Sequence, residues 1–293
     1  MWVFLGALGA CIGSFLNVCI YRLPREQSLI RPRSRCPHCE HPIAWYDNVP
    51  VLSFAWLGAR CRHCRAPIRW RYPLVELITA AATITVLHHF GAGAAGLVYL
   101  AFVYGLIVSS FIDLEFRIIP DEISLGGLAV GLIASLFVPA LHATDSRVLS
   151  LGRSLLGALV GGGLLYLTGS LGDFMLVCLR RLGVLLRRNP FWRRRLARYR
   201  HMRESMGGGD IKLLAMAGSI LGWKLVALTF FLTPFLALAP GILTLILKRT
   251  SYIPYGPFLS LGLAVSLLFG NKLLRASGIE ETVRFLRDFY WPK

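Results

Sequence analysis

Residues 95–113 read AGLVYLAFVYGLIVSSFID, and no charged residue interrupts this run before its last position, Asp113. About 20 predominantly apolar residues in a row allow an α-helix to cross the hydrocarbon core of a bilayer. Because backbone polar groups in a bilayer need partners within the protein, the run predicts a membrane-spanning helix. A carboxylate at the end of such a helix is costly, which makes Asp113 a candidate functional residue.

The composition of the whole chain also indicates a membrane protein. Of its 293 residues, 55% are hydrophobic and only 16% are charged, with 32 basic residues against 15 acidic ones. In a soluble domain such a basic excess would suggest nucleic-acid binding. Here the basic residues lie between apolar runs, so we interpret them as topology signals and contacts with membrane lipids. We expect no nucleic-acid partner.

Eight apolar runs are candidate spans. They cover residues 1–21, 74–91, 95–113, 122–141, 149–178, 209–222, 224–247 and 255–271. The predicted fold class is therefore all-α, a polytopic integral membrane bundle of about eight transmembrane helices. The run 209–222 is short and rich in small residues, which favours a helix wedged between other helices over one that faces lipid.

The arginines divide the chain and orient it. Residues 1–21 form a first span, 22–73 a loop domain, and 74–293 a membrane domain with an Arg-rich insertion at 179–207. The loop domain and the insertion carry ten arginines each. Both fall on one side if the spans alternate from an outside N-terminus, and the positive-inside rule makes that side the cytoplasm.

A second aspartate lies at the same predicted depth as Asp113. Asp113 ends a span that enters the cytoplasm, and Asp210 begins a span that leaves it, directly after three glycines. Glycine permits close backbone approach, so the two carboxylates can be neighbours in space. Glu76 and Asp121 share this depth, which leaves four candidate carboxylates on one face.

Two carboxylates at a partly desolvated site cannot both ionise easily, so one keeps its proton. The pair then offers a base that activates water and an acid that protonates a peptide carbonyl or leaving nitrogen. This is the chemistry of an aspartic peptidase. The alternatives are structural, with Asp113 as an interfacial acid paired with Arg117 and Asp121 as a helix cap.

Two other classes of protein compete with a peptidase. A transporter would spread its ionisable residues through the depth of the membrane, whereas here they crowd one face. A non-enzymatic assembly scaffold would tolerate loss of both aspartates.

Four cysteines form two tight pairs in the loop domain. They are Cys36, Cys39, Cys61 and Cys64, in the sequences Cys-Pro-His-Cys and Cys-Arg-His-Cys. Four thiolates in this pattern predict a structural zinc site, and a reducing cytoplasm disfavours the disulfide alternative. Unmetallated or redox-active thiols remain open, and we interpret His38 and His63 as surface residues because four sulfurs already complete a tetrahedral site.

Motifs along nearly the whole chain resemble those of the type IV prepilin peptidases, membrane aspartic enzymes of the GxGD class. In chain order these motifs are Gly13-Ser-Phe-Leu-Asn17-Val, Tyr21-Arg-Leu-Pro24, the two cysteine pairs, Tyr72-Pro-Leu-Val-Glu76, Asp113 with Ile119-Pro120-Asp121, Met206-Gly-Gly-Gly-Asp210-Ile-Lys212 and Ile253-Pro-Tyr-Gly256-Pro-Phe. So many ordered matches are specific, whereas a lone GxGD would not be.

The resemblance implies a function and its location. Members of the family cut the short basic leader of prepilins and pseudopilins after a glycine, on the cytoplasmic side of the bacterial inner membrane. Many then N-methylate the new N-terminus with S-adenosylmethionine, and the four-cysteine loop accompanies these bifunctional members. By resemblance Asp113 and Asp210 are the catalytic pair.

The resemblance does not identify the site that binds the methyl donor, and this sequence differs from the family pattern at two places. No glycine-rich strand-turn-helix marks a cofactor site, so Glu76 and the loop 22–73 are the candidates for binding S-adenosylmethionine. The first span starts at Met1, where family members often carry several residues ahead of it. The insertion 179–207 is longer than we expect for the family.

Overall fold

The computed structural model describes residues 1–31, 33–185, 207–248 and 254–276. Within these ranges the chain is helical, with two isolated β-bridges in the loop between the first two long helices. The α-helices are α1 (Trp2–Arg22), α2 (Leu52–Trp56), α3 (Arg71–Phe90), α4 (Ala94–Phe116), α5 (Asp121–Phe137), α6 (Arg147–Leu185), α7 (Gly208–Leu221), α8 (Trp223–Lys248) and α9 (Gly256–Ala276). Most of the Arg-rich insertion, residues 186–206, lies outside the described residues.

Each of the eight predicted runs is a helix, and the predicted all-α class is confirmed. Six helices of the described part are long and apolar enough to cross a membrane: Trp2–Arg25, Arg71–Phe90, Ala94–Phe116, Arg147–Met175, Trp223–Ile242 and Gly256–Ala276. The predicted number of eight crossings is therefore not confirmed. With 17 and 14 residues, α5 and α7 are about 26 and 21 Å long, short of a hydrocarbon core of about 30 Å.

Helix α7 lies inside the bundle, as its small residues predict. It packs against α4, α5, α6, α8 and α9, and every residue from Leu213 to Leu221 except Ala215 is buried. A helix covered by protein on all sides need not match the bilayer thickness. This position therefore accounts for the shortness of α7.

Glycines bring α6 and α7 into direct backbone contact. A Cβ on Gly157 of α6 would lie 2.8 Å from the carbonyl carbon of Gly218 and 3.0 Å from Cα of Gly222. One turn further along α6, a Cβ on Gly161 would lie 2.9 Å from the carbonyl carbon of Leu214. Glycines four residues apart line one face of a helix, which is how helices approach closely in membranes.

Hydrogen bonds hold the C-terminal end of α7. The Ser219 carbonyl accepts a hydrogen bond from the Ser154 hydroxyl at 2.7 Å, and Nε2 of the buried His142 lies 3.1 Å from the same oxygen. Arg153 donates in turn to the carbonyl of His142 at 2.7 Å. Burial lowers the pKa of His142, so this contact is made by a neutral imidazole. The opposite end of α7 carries Asp210.

We predict that Gly157→Ala destabilises the protein by about 1–3 kcal/mol, because the added methyl group would press on the backbone of α7. Gly163→Ala on the same helix is the matched control, since a Cβ there meets nothing within 4 Å. Alanine favours helix over glycine, so the control is expected to be neutral or slightly stabilising. Thermal unfolding in detergent measures both, and equal midpoints would contradict the close contact.

Candidate functional site

The structure brings Asp113 and Asp210 together at one end of the bundle. Asp113 lies on the last turn of α4 and is 7% exposed, and Asp210 lies half-buried in the first turn of α7. The two side chains are close enough for the charge of Asp113 to act on Asp210. The two residues therefore lie at the same end of the bundle, as the predicted topology requires.

The start of α9 completes the surroundings of the pair. The N–H of Gly256 donates to Oδ2 of Asp113 at 3.0 Å, and a Cβ on this glycine would lie 2.7 Å from the same oxygen. Tyr255, the residue before it, lies near Asp210 and shares a hydrogen bond with Thr233. Burial, supplemented by the charge of Asp210, raises the pKa of Tyr255 to about 12, so its hydroxyl keeps its proton.

Local chain geometry explains why each carboxylate stands where it does. Helix α4 ends at Arg117, whose left-handed backbone (φ 58°) lets its N–H bond the Asp113 carbonyl at 3.0 Å. The chain then passes Ile119 and begins α5 at Asp121, after Pro120. A Cβ on Gly209 would lie 2.9 Å from Cβ of Ile119, so this glycine allows α7 to start close to the α4–α5 connection.

Asp121 has a structural partner. Lys212 of α7 donates to both carboxylate oxygens of Asp121, at 2.6 and 2.9 Å. The expectation that Asp121 caps α5 is wrong by one position, because Pro120 is the N-cap and Asp121 is the first helical residue. This ion pair ties the start of α5 to the start of α7.

Glu76 belongs to a different part of the structure. It is 8% exposed on α3, its Oε2 accepts the N–H of Val51 at 2.7 Å, and Ser14 of α1 also bonds its carboxyl group. Gly13 lies against it, since a Cβ there would come 2.7 Å from Cα of Glu76. Glu76 therefore faces α1 and the loop domain.

The loop segment that contacts Glu76 has a strained backbone at Val51. Val51 has φ 61° and ψ −48°, and Leu52 N–H bonds the Pro50 carbonyl at 2.6 Å, which makes a γ-turn with positive φ. A β-branched residue rarely adopts this conformation, and such strain persists only where the surroundings enforce it. The bond from Val51 to the buried Glu76 is one such constraint.

A cavity of about 670 Å³ separates the loop domain from α1 and α3. Ser14, Asn17, Arg71, Tyr72, Glu76 and Glu115 are among its lining residues. Cofactor pockets in proteins commonly have volumes of about 300–1,000 Å³. The cavity is therefore large enough for a small organic cofactor, and the buried Glu76 supplies its wall with a carboxylate.

Two contacts join the loop domain to the helices around this cavity. The side-chain amide of Asn17 donates to the Tyr72 carbonyl at 3.0 Å, which links α1 to the start of α3. Glu115 of α4 forms ion pairs with Arg71 and, at 3.6 Å, with Arg69. Glu115 is two residues from Asp113, so the end of α4 borders both the carboxylate pair and the cavity.

The four cysteine sulfurs converge in the loop domain. All four sulfurs, those of Cys36, Cys39, Cys61 and Cys64, lie within 4.8 Å of one another. The Cys36 and Cys64 sulfurs are 3.8 Å apart. A tetrahedral zinc ion with Zn–S bonds of about 2.3 Å needs sulfurs about 3.8 Å apart. The arrangement therefore fits a tetrahedral metal ion. His38 and His63 are exposed, as predicted.

The two cysteine pairs are copies of one structural unit, a relation that our sequence reasoning missed. Residues 34–43 (SRCPHCEHPI) and 59–68 (ARCRHCRAPI) align without a gap. Each copy has a β-bridge, Arg35 to Pro42 and Arg60 to Pro67. Each also has a left-handed residue after its second cysteine, Glu40 or Arg65. The recurrence of Cys-x-His-Cys-x-x-Pro-Ile at a spacing of 25 residues was the available signal.

The second copy is braced by an ion pair. Arg62 donates to both carboxylate oxygens of Asp47, at 2.8 and 2.6 Å. The hydrogen bonds from Arg62 lower the pKa of Asp47, which therefore stays ionised at neutral pH. This contact links the short 3-10 turn Trp45–Asn48 to the second cysteine pair.

Comparison with known proteins gives matches over most of the chain. Residues 7–90 match the bacterial peptidase A24 N-terminal domain, and residues 100–242 match the type IV leader peptidase family. A prepilin leader peptidase/N-methyltransferase of Aeromonas hydrophila is 34% identical, over 93% of this chain and 91% of that protein.

Two further relatives carry the same description. The protein of Pseudomonas aeruginosa is 33% identical, over 92% of this chain and 90% of its own length. The protein of Myxococcus xanthus is 36% identical, over 76% of this chain and 56% of its own length. No solved structure matches the chain.

Proposed function

Because the chain belongs to the type IV leader peptidase family, we propose that it removes the leader peptide of type IV prepilins or pseudopilins and then methylates the new N-terminus. The observation that carries the peptidase proposal is the pairing of Asp113 and Asp210 at the ends of α4 and α7. Membership of this family disfavours the transporter and scaffold alternatives.

In this proposal the two aspartates hydrolyse the peptide bond after the leader glycine. One carboxylate takes a proton from water while the water oxygen adds to the scissile carbonyl carbon. The other aspartate, which is a protonated carboxylic acid, protonates the carbonyl oxygen. Collapse of the tetrahedral intermediate returns one proton to the pair and gives the other to the leaving nitrogen, which restores the starting state.

The proposed location follows from charge. The pair lies at the end of the bundle from which the loop domain extends and where α4 leads into the Arg117 loop. Arginine-rich loops remain on the cytoplasmic side. We therefore place the active site at the cytoplasmic face of the bacterial inner membrane, with the first helix 1–21 and the loop domain 22–73 preceding the membrane domain 74–293. Prepilins and membrane lipids are the proposed partners.

We expect Asp113→Asn and Asp210→Asn each to lower leader removal at least about 100-fold, because either change leaves the pair without its acid or its base. Asp145→Asn, an exposed aspartate between α5 and α6, is the matched control and should cleave normally. Purified protein in nanodiscs is incubated with a prepilin, and mass spectrometry measures the product. Normal cleavage by both pair variants would disprove the assignment.

Zinc is the metal that we propose for the cysteine cluster. The four sulfurs would bind it and so fix the two copies of the Cys-x-His-Cys unit against each other. A bound structural zinc contributes folding free energy, on the order of 10 kcal/mol in small zinc domains. A loop with few buried residues (Cys36 is its one buried hydrophobic side chain between residues 33 and 70) gains most from such a contribution.

Elemental analysis should find about one zinc ion per chain, lost when Cys36 and Cys61 are replaced by serine, since two thiolates cannot close a tetrahedral structural site. Cys11→Ser, an exposed cysteine of α1, is the control and should keep the metal. A content near zero in protein prepared with sufficient zinc would contradict the proposal.

We propose the cavity beside Glu76 as the site of methyl transfer. S-adenosylmethionine supplies the methyl group from a positively charged sulfonium when it is bound. The Glu76 carboxylate would hold that positive charge or the substrate's amino group, and Tyr72 would provide an aromatic face. The loop domain above the cavity would exclude water.

Replacing Glu76 by Gln should lower transfer of a labelled methyl group at least about tenfold, because the charge is lost while an acceptor oxygen for Val51 remains. Leader removal should stay within twofold of normal, because the proposed methyl-transfer site is separate from the aspartate pair. The control is Glu122→Gln, an exposed residue in the first turn of α5. Equal label incorporation by the Glu76 variant would rule out this site.

A further inference from the structure

The two proposed catalytic carboxylates have unequal surroundings. Asp113 receives the N–H of Gly256 at 3.0 Å and is reached by the charge of Arg117, the residue that ends its own helix. The described contacts of Asp210 near the pair are with the charge of Asp113 and with Tyr255. A backbone donor and a positive charge both favour an ionised carboxylate.

The first residues of α9 explain why the Gly256 N–H can bond Asp113. The N–H groups of Phe258 and Leu259 both bond the Tyr255 carbonyl, at 3.1 and 3.0 Å, and Pro257 has no N–H. The Gly256 N–H is thus available to Asp113. The partial positive charges at the N-termini of α9 and α7 favour a negative charge on Asp113 and on Asp210 alike, so the Gly256 bond and Arg117 are what distinguish the two carboxylates.

Gly256 also determines how close Asp113 can come. A Cβ at this position would lie 2.7 Å from Oδ2, 3.1 Å from Cγ and 3.2 Å from Cβ of Asp113. No side chain of any kind fits there without moving the carboxyl group. The need for glycine at position 256 is therefore imposed by Asp113 itself.

We propose that Gly256 is a positioning residue that makes Asp113 the base of the pair and leaves the proton on Asp210. The proposal rests on the peptidase function proposed above. In the hydrolysis, Asp113 takes the proton of the attacking water, and Asp210 protonates the carbonyl oxygen. On collapse, Asp113 gives its proton to the leaving nitrogen, the C–N bond breaks, and a hydroxyl proton of the intermediate returns to Asp210.

Among the described residues, the groups that act on Asp113 are Asp210 from α7, Arg117 from the end of α4 and the N–H of Gly256 from the start of α9. Tyr255, the residue before Gly256, lies near Asp210. Weakening the bond from Gly256 removes support for the ionised form of the base. The acidic limb of the pH–rate profile must then move to higher pH, because more alkaline solution is needed to ionise the base.

The test is the pH dependence of leader removal by Gly256→Ala in nanodiscs. We expect kcat to fall at least about tenfold with KM within twofold, and the acidic limb to rise by about one pH unit, as for loss of one charge-assisted hydrogen bond. Gly270→Ala is the control on the same helix. Its Cβ would press on Leu225 Cδ2 at 2.5 Å, so it strains the packing of α9 about four turns away from Asp113 and should leave the limb in place.

A second variant decides the matter if Gly256→Ala does not fold. Arg117 is exposed, and Arg117→Gln removes its charge while Arg117→Lys keeps it. The glutamine variant should move the acidic limb upward and the lysine variant should restore it. Arg31→Gln, an exposed arginine of the loop domain, should change nothing.

The outcomes separate this inference from the proposed function. If Asp113→Asn and Asp210→Asn both cleave normally, the peptidase assignment itself is wrong. If Asp113→Asn is inactive but the acidic limb is unmoved in both Gly256→Ala and Arg117→Gln, the peptidase assignment stands and the assignment of Asp113 as the base is overturned.

Discussion

The bond between the Gly256 amide and the Asp113 carboxylate joins the end of one membrane helix to the start of another. A carboxylate that is 7% exposed needs such a donor, since a buried charge without a partner is strongly unfavourable. The short helix α7 then brings Asp210 to the same place from a third direction. Because α7 is enclosed by five other helices, its position depends on all of them, and so does the geometry of the pair.

The end of α4 serves two regions at once. Asp113 faces α7 and α9, and Glu115, two residues later and thus about 200° around the helix, pairs with arginines at the exit of the loop domain. The loop domain in turn contacts Glu76 through a strained turn at Val51. A rigid helix end shared in this way lets the proposed peptidase site and the proposed methyl-transfer site keep a fixed relation to each other.

The loop domain is organised by its duplicated Cys-x-His-Cys unit more than by a hydrophobic core. Both copies use the same bridge and the same left-handed turn, so the sulfurs of one copy face those of the other. Glu40 and Arg65 adopt positive φ without being glycine, a conformation that closure of the four-sulfur cluster would offset. A domain of this kind would depend on the proposed metal for its stability, because few apolar side chains are buried in it.

The sequence by itself determined which segments are helical, which ends carry carboxylates, and that four cysteines form one cluster. Apolar run length, glycine placement and cysteine spacing are local patterns, so each can be read without the fold. The sequence pattern could not rank Asp113 and Asp210 above Glu76 and Asp121 as candidate catalytic residues. The position of a residue in an apolar run predicts its depth in the membrane but not its neighbours on other helices. Only the tertiary structure separated them: Asp121 pairs with Lys212, Glu76 faces the loop domain, and Asp113 lies close enough to Asp210 for its charge to act on it. The number of membrane crossings was undetermined for the same reason, since short helices such as α7 owe their place to glycine contacts with their neighbours, which no single run of sequence contains.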